Sequence, residues 1–213
     1  MDLRPGRTAL DLGAGTGKMA RMLTPTGAHL IAIEPVAAMR AILGTRARGA
    51  SVIGAVAEAL PIAEGAVDAA IAAHAFHWFD GRRALSELTR VIYAGGSLAL
   101  VWNVRDETTP WVHALTDLIE PYRGDTPSYR SMRWKEAFAD SSSWGEPELS
   151  SFAYEHLTSR AGALDRVLSI SFIAALPPSE REMVTRRLDA ILPEWDMFVF
   201  PYRTDVWLSR RRP

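Results

Sequence analysis

Glycines at positions 13, 15 and 17 and an acid at position 34 are the residues whose types and spacing most directly imply chemistry in this chain. The glycines lie in Thr8-Ala-Leu-Asp-Leu-Gly-Ala-Gly-Thr-Gly-Lys18, and the acid closes Ala28-His-Leu-Ile-Ala-Ile-Glu34. Gly13, Gly15 and Gly17 permit a tight turn and let backbone approach a ligand where a side chain would block it. A helix starting at Thr16 would aim amide groups at that ligand. About twenty residues on, the Glu34 carboxylate can accept hydrogen bonds from both hydroxyls of a ribose. The two features together imply a nucleoside cofactor.

The spacing selects among nucleosides. A dinucleotide fingerprint needs a small residue where this chain has Lys18. A phosphate-cradling loop needs glycine at Leu12 and a hydroxyl residue at Met19. Neither pattern is met, so Lys18 reads as a solvated first-turn residue and a nicotinamide oxidoreductase is disfavoured. What remains, Asp11-Leu-Gly-Ala-Gly-Thr-Gly17, resembles motif I of the class I S-adenosylmethionine-dependent methyltransferases. The resemblance continues through Gly54 to Pro61, Val67 to Phe79 and Arg90 to Asn103. His-Ala-Phe-His-Trp78, Trp102-Asn103 and Tyr202-Arg-Thr-Asp-Val206 are similar to the branch that includes trans-aconitate methyltransferase-like proteins.

That resemblance implies S-adenosylmethionine as cofactor, held by Asp11, Gly13, Ala14, Gly15, Thr16, Gly17, Glu34, Pro35, Met39, Ala57, Glu58, His74, Ala75 and Trp78. Family members place an adenine-contacting acid where this chain has Val56, so adenine recognition is expected to fall to the Ala57 backbone and Glu58. Relatives also carry helices before the first strand that cover the cofactor. Here the first strand comes almost at once, so an upstream segment, or a more open site, is expected.

Methyl transfer from a sulfonium is an in-line displacement, so the protein mainly aligns the reactants and excludes water. His74 and His77 are the catalytic candidates, able to orient or deprotonate a substrate. Either could instead bond a backbone carbonyl. Phe76, Trp78 and Phe79 could face a cation or pack beneath a helix that Asp80 caps. Trp78, Asn103 and Arg105 are the substrate candidates, Arg105 as a fork for a carboxylate. Asp11 is expected to cap the glycine loop or to reach the cofactor amine through water.

The elements that must hold these residues alternate between strand and helix patterns. Strands are expected near 8–12, 28–33, 50–54, 67–73 and 96–102, with helices near 16–23, 35–43 and 80–91. That is an α/β doubly wound, mostly parallel sheet of Rossmann-like type, in which ligands bind beyond the carboxyl ends of the strands. Beyond Asn103 the pattern predicts helices near 110–121, 131–139, 161–175 and 178–191, with strands near 147–154 and 198–208. Residues 1–213 read as a single domain, with 1–105 the cofactor-binding core and 106–213 lid and substrate helices with the final strands.

Lys+Arg 24 against Asp+Glu 25 gives a net charge of −1, which argues against nucleic acid as substrate and for a small molecule. Cysteine is absent, which suits a reducing cytoplasm and leaves no thiolate chemistry. No apolar run approaches the roughly 20 residues of a membrane span. His29, His113 and His156 are isolated, so no metal is expected, and Arg210-Arg-Arg-Pro213 reads as a disordered basic tail. The sequence reading is a methyltransferase acting on a small molecule, with a carboxylate suggested by the resemblance and Arg105. The alternative is a cofactor-binding protein without turnover, and oligomeric state is open.

Overall fold

The computed structural model describes residues 1–139 and 141–213. Its elements run β1 (Thr8–Leu12), α1 (Lys18–Leu23), β2 (His29–Ile33), α2 (Ala37–Arg46), β3 (Ser51–Ile53), β4 (Val67–Ala73), α3 (Gly81–Val91) and β5 (Ile92–Arg105). They continue with α4 (Pro110–Ile119), α5 (Glu136–Ala139), β6 (Glu148–Ser159), α6 (Arg160–Leu168), α7 (Ser171–Ala174), α8 (Pro178–Ile191) and β7 (Met197–Arg210). The seven strands form one sheet in the order β3-β2-β1-β4-β5-β7-β6. β3, β2, β1, β4 and β5 pair parallel, Leu10 opposing Ile31 on one side and Ala70 on the other. This is the expected doubly wound α/β sheet.

Burial explains why the central strands are almost wholly apolar. Ala9, Leu10 and Leu12 of β1 are fully buried, as are Ala70 and Ala72 of β4. A strand covered on both faces cannot alternate apolar with polar residues. The amphipathic helices flank it: α3 buries Ala84, Leu85, Leu88 and Val91 and keeps its charges outward. Asp80 caps α3 as expected, its Oδ1 accepting from the Arg83 amide at 3.2 Å.

By contact the chain divides into two compact units, Met1–Trp102 with Pro127–Ser150 and Asp205–Pro213, and Asn103–Thr126 with Ser151–Thr204. Residues 127–150 and 205–213 thus join the first half of the chain. In the first unit Tyr129 stacks on Trp102 and Trp134 lies between Trp102 and Trp207, with ring centroids 4.7, 5.0 and 5.2 Å apart. The second unit has its own core, in which Leu115, Ile119, Val167, Val184, Leu188 and Phe200 pack together.

Several elements differ from expectation. The helix near 16–23 begins at Lys18, because Gly17 takes the left-handed conformation (φ 84°) and serves as its N-cap. The segment 131–139 is two short turns and the four-residue α5, since Met132 at φ 56° interrupts any longer helix. The helix near 161–175 is broken into α6 and α7 where Ile170 becomes extended. β5 and β6 are longer than the apolar runs suggested. The basic tail is not a loose end: the Arg211 amide donates to Gly96 O at 2.9 Å and the Arg212 amide to Ser143 O at 2.8 Å.

Candidate functional site

Because the five parallel strands point the same way, the loops after β1, β2, β3 and β4 emerge on one edge of the first unit's sheet. These loops carry the glycines, Glu34, Ala57 with Glu58, and His74 to Phe79; Trp102, in β5, is in the same unit. All three glycines have positive φ (63°, 55° and 84°), so all three need the freedom of glycine, but their surroundings differ. A Cβ on Gly13 would lie 2.7 Å from the Ala75 Cβ and 3.4 Å from the Phe79 ring, and one on Gly17 would lie 2.7 Å from Leu43. A Cβ on Gly15 would meet nothing within 4 Å. Gly13 and Gly17 are fixed by packing, whereas Gly15 faces open space.

Glu34 closes this turn. Its Oε2 accepts from the Gly15 amide and its Oε1 from the Val36 amide, both at 2.9 Å, with 5 % of the residue exposed. Each carboxylate oxygen has a second lone pair with which to accept from a ligand hydroxyl. The loop is further closed by Ala14 N donating to Ile33 O and Gly17 N to Ala14 O. The expected helix start at Thr16 is therefore corrected: residues 14 to 17 form a hydrogen-bonded turn, and the helix begins at Lys18. Thr16 is half-buried beside Ala14, which is buried, while Pro35 and Met39 are exposed at the start of α2.

Asp11 is 1 % exposed, and neither of its oxygens has a hydrogen-bond partner among the described residues. The expected loop cap is thus not made. Burial raises its carboxyl from 3.8 to about 7; the Ala20 backbone amide opposes the shift, and the Glu34 charge adds to it.

After β3, Ala57 is buried and Glu58 accepts from the Asp80 amide at 2.8 Å, so that carboxylate ties the loop to the start of α3. Arg90 clamps the same loop, its guanidinium donating to Leu60 O, Ile62 O and Glu87, while Glu87 accepts from the Leu60 amide. The Glu87 carboxyl is pulled down to about 2, mainly by its hydrogen bond to Arg90.

After β4 the chain turns sharply. His74 has φ 53°, a conformation that costs a non-glycine residue about 1–2 kcal/mol, and its amide donates to Val101 O at 2.8 Å. Ala75 is buried against Gly13. The aromatic residues that follow part ways: Phe76 is 1 % exposed and packs on Phe79 and Phe138, while Trp78 is 56 % exposed. Trp102 Nε1 donates to His77 Nδ1 at 3.1 Å. With Nδ1 accepting, neutral His77 carries its proton on Nε2 and is a donor there.

Asn103 and Arg105 belong to the second unit. Asn103 Oδ1 accepts from the Thr204 hydroxyl at 2.8 Å, and Arg105 Nε donates to Thr116 Oγ1 at 3.2 Å. Sequence reasoning missed the Trp102–His77 bond, the Arg90 clamp and the unsatisfied acceptors of Asp11. Only the clamp left a signal, the i,i+3 spacing of Glu87 and Arg90.

Residues 10–100 match the model of a methyltransferase domain family. An uncharacterised methyltransferase-like protein of Schizosaccharomyces pombe is 31% identical over 211 residues, covering 96% of this chain and 82% of the relative. A malonyl-[acyl-carrier protein] O-methyltransferase of Methylococcus capsulatus is 40% identical over 102 residues, covering 45% of this chain and 37% of that protein. Among solved structures, a protein of Anaeromyxobacter dehalogenans described as a type II methyltransferase superposes with a TM-score of 0.67 at 23% identity, covering 99% of this chain and 91% of its own.

Proposed function

The chain belongs to the class I S-adenosylmethionine-dependent methyltransferases, and on that premise we propose that it methylates a small carboxylic acid at a carboxylate oxygen. S-adenosylmethionine is the cofactor, and when bound it supplies an electrophilic methyl group on a sulfonium. The described residues fit that group. Gly15 leaves open space at a turn, Glu34 has lone pairs to accept from the ribose hydroxyls, and the buried, unpartnered carboxyl of Asp11 suits a cationic ligand group. Ala57 offers backbone for the adenine. The exposed ring of Trp78 can face a cation, an interaction worth about 0.5–2 kcal/mol.

The observation that carries the carboxylate reading is the bond from Trp102 to His77. It makes neutral His77 a hydrogen-bond donor through Nε2 and denies it a basic lone pair at Nδ1. An alcohol acceptor would need a base; a carboxylate, with a solution pKa of about 4, is already ionised at neutral pH and needs only to be oriented and stripped of water. A donor suits that anion, so His77 binds and orients rather than deprotonates. His74 supplies a further contact in this reading, and the name of the Methylococcus relative, an O-methyltransferase of a malonyl group, agrees with the chemistry.

The test is transfer of radiolabelled methyl from S-adenosylmethionine to a panel of small mono-, di- and tricarboxylic acids, with alcohols and amines for comparison. Label is expected on an acid and is expected to be released as methanol on mild alkaline treatment, as a methyl ester must be. Label stable to alkali would place the methyl on carbon, nitrogen or an ether oxygen and overturn the proposal.

A further inference from the structure

β6 is the last strand of the sheet, and its outer edge has no strand neighbour among the described residues. Nine of its twelve residues are exposed. Edge strands of this length are ordinarily protected by lysine, proline or a covering element, because their unpaired backbone groups are a template for another strand. Glu-Leu-Ser-Ser-Phe-Ala-Tyr-Glu-His-Leu-Thr-Ser159 has neither lysine nor proline. It instead exposes four large apolar side chains: Leu149 at 46%, Phe152 at 57%, Tyr154 at 40% and Leu157 at 64%.

The positions of these four residues are symmetric about Ala153. Leu149 and Leu157 each lie four residues from it, Phe152 and Tyr154 one residue from it. Two copies of one strand related by a two-fold axis perpendicular to the sheet pair antiparallel, and each residue faces the one equally far on the other side of the axis. With the axis at Ala153, Leu149 faces Leu157 and Phe152 faces Tyr154 of the second copy. Ser151 faces Glu155, Ser150 faces His156, and no two like charges are opposed. The residue on the axis meets itself, and alanine is small enough for that approach. Moving the axis by one residue to Phe152 sets Leu149 against Glu155, and moving it to Tyr154 sets Phe152 against His156. An axis at Glu155 opposes two carboxylates. One register alone joins all the exposed apolar residues to one another.

We propose that β6 is a self-association edge on which a second copy of this chain pairs antiparallel about Ala153, joining two seven-stranded sheets into one. About ten backbone hydrogen bonds would form across positions 148–158, as many as a typical protein interface carries, with the four apolar pairs packed over them.

The absence of cysteine makes the register directly readable. In the proposed dimer the two copies of residue 153 have Cα atoms about 4.5–5.5 Å apart, within disulfide range. The two copies of residue 151 are four residues out of register, about 14 Å along the strands, and out of range. Sedimentation equilibrium of the unaltered full chain over a concentration series is expected to approach twice the 23.5 kDa chain mass. Under mild oxidation A153C is expected to form a covalent dimer, and S151C to stay uncrosslinked. Leu157→Lys is expected to shift the equilibrium to monomer while leaving the melting transition of dilute, monomeric protein unchanged. A wild-type chain that remains at 23.5 kDa throughout overturns the proposal. So does a dimer in which S151C crosslinks as readily as A153C, or in which neither does.

Discussion

Replacing Asp11 with asparagine should flatten the dependence of folding stability on pH between about pH 5 and pH 8. The carboxyl is raised from 3.8 to about 7 in the folded protein, first by burial. Between pH 3.8 and about 7 the unfolded chain has lost the proton and the folded chain still holds it, so stability declines as pH rises through that range and levels off above about 7. Stability falls by about 1.4 kcal/mol for each pH unit between those two values, so the ionised group opposes folding by about 4 kcal/mol in all, of which roughly 2–3 kcal/mol develops between pH 5 and pH 8. Because Asp11 is 1 % exposed, solvent does little to screen this cost. Asparagine has a similar shape and no ionisation; its buried amide costs about 1–3 kcal/mol, but equally at every pH. The assay is urea unfolding of both proteins at closely spaced pH values, comparing ΔG at constant m. The wild-type curve should fall toward the variant curve, or through it, by that amount. Parallel curves would refute the reasoning, showing that Asp11 is either ionised throughout or solvated in the folded state.

The glycines provide a second test. Gly15→Ala should lower stability by only the left-handed strain of about 1–2 kcal/mol yet weaken S-adenosylhomocysteine binding at least tenfold, because its Cβ meets nothing in the protein and enters the ligand space. Gly13→Ala should lose a further 1–3 kcal/mol or so, since its Cβ would sit 2.7 Å from Ala75; thermal melts of both variants without ligand separate the two effects. Phe76→Ala should destabilise by about 3–5 kcal/mol as a core truncation, whereas Trp78→Ala should change stability by less than about 0.5 kcal/mol and act on cofactor affinity and turnover. Equal stability losses would put both aromatic residues in the core. Trp102→Phe keeps an aromatic ring but deletes the donor to His77 Nδ1. Turnover should fall more than cofactor affinity, and the imidazole nitrogen NMR shifts should report a mixture of tautomers where wild type shows the Nε2–H form.

The glycine turn was legible in the sequence because its requirements are backbone requirements. A turn that needs positive φ at Gly13, Gly15 and Gly17 leaves glycine at each, and a strand buried on both faces leaves a run such as Ala9 to Leu12 that is apolar except at Asp11. The Asp80 cap was readable for the same local reason. Features that depend on distant partners were not. The tautomer of His77 is set by Trp102, twenty-five residues away. The segment 131–139 has the composition of a helix, yet Met132 takes the left-handed conformation at φ 56° and breaks it, while Trp134 and Phe138 pack on the rings of Trp102 and Phe76. Nor did the spacing of Asp11 show that folding would bury its oxygens without a hydrogen-bond partner.

The most direct measurement is calorimetric titration of the purified chain with S-adenosylmethionine and S-adenosylhomocysteine, with NADH as the control and Gly15→Ala as the variant. Saturable one-site binding of both sulfur nucleosides is expected, with no heat from NADH and marked weakening in a Gly15→Ala protein that remains folded at the titration temperature. Absence of binding by a folded wild-type chain, or binding that Gly15→Ala leaves unchanged, would contradict the assignment of the glycine turn as the cofactor cradle.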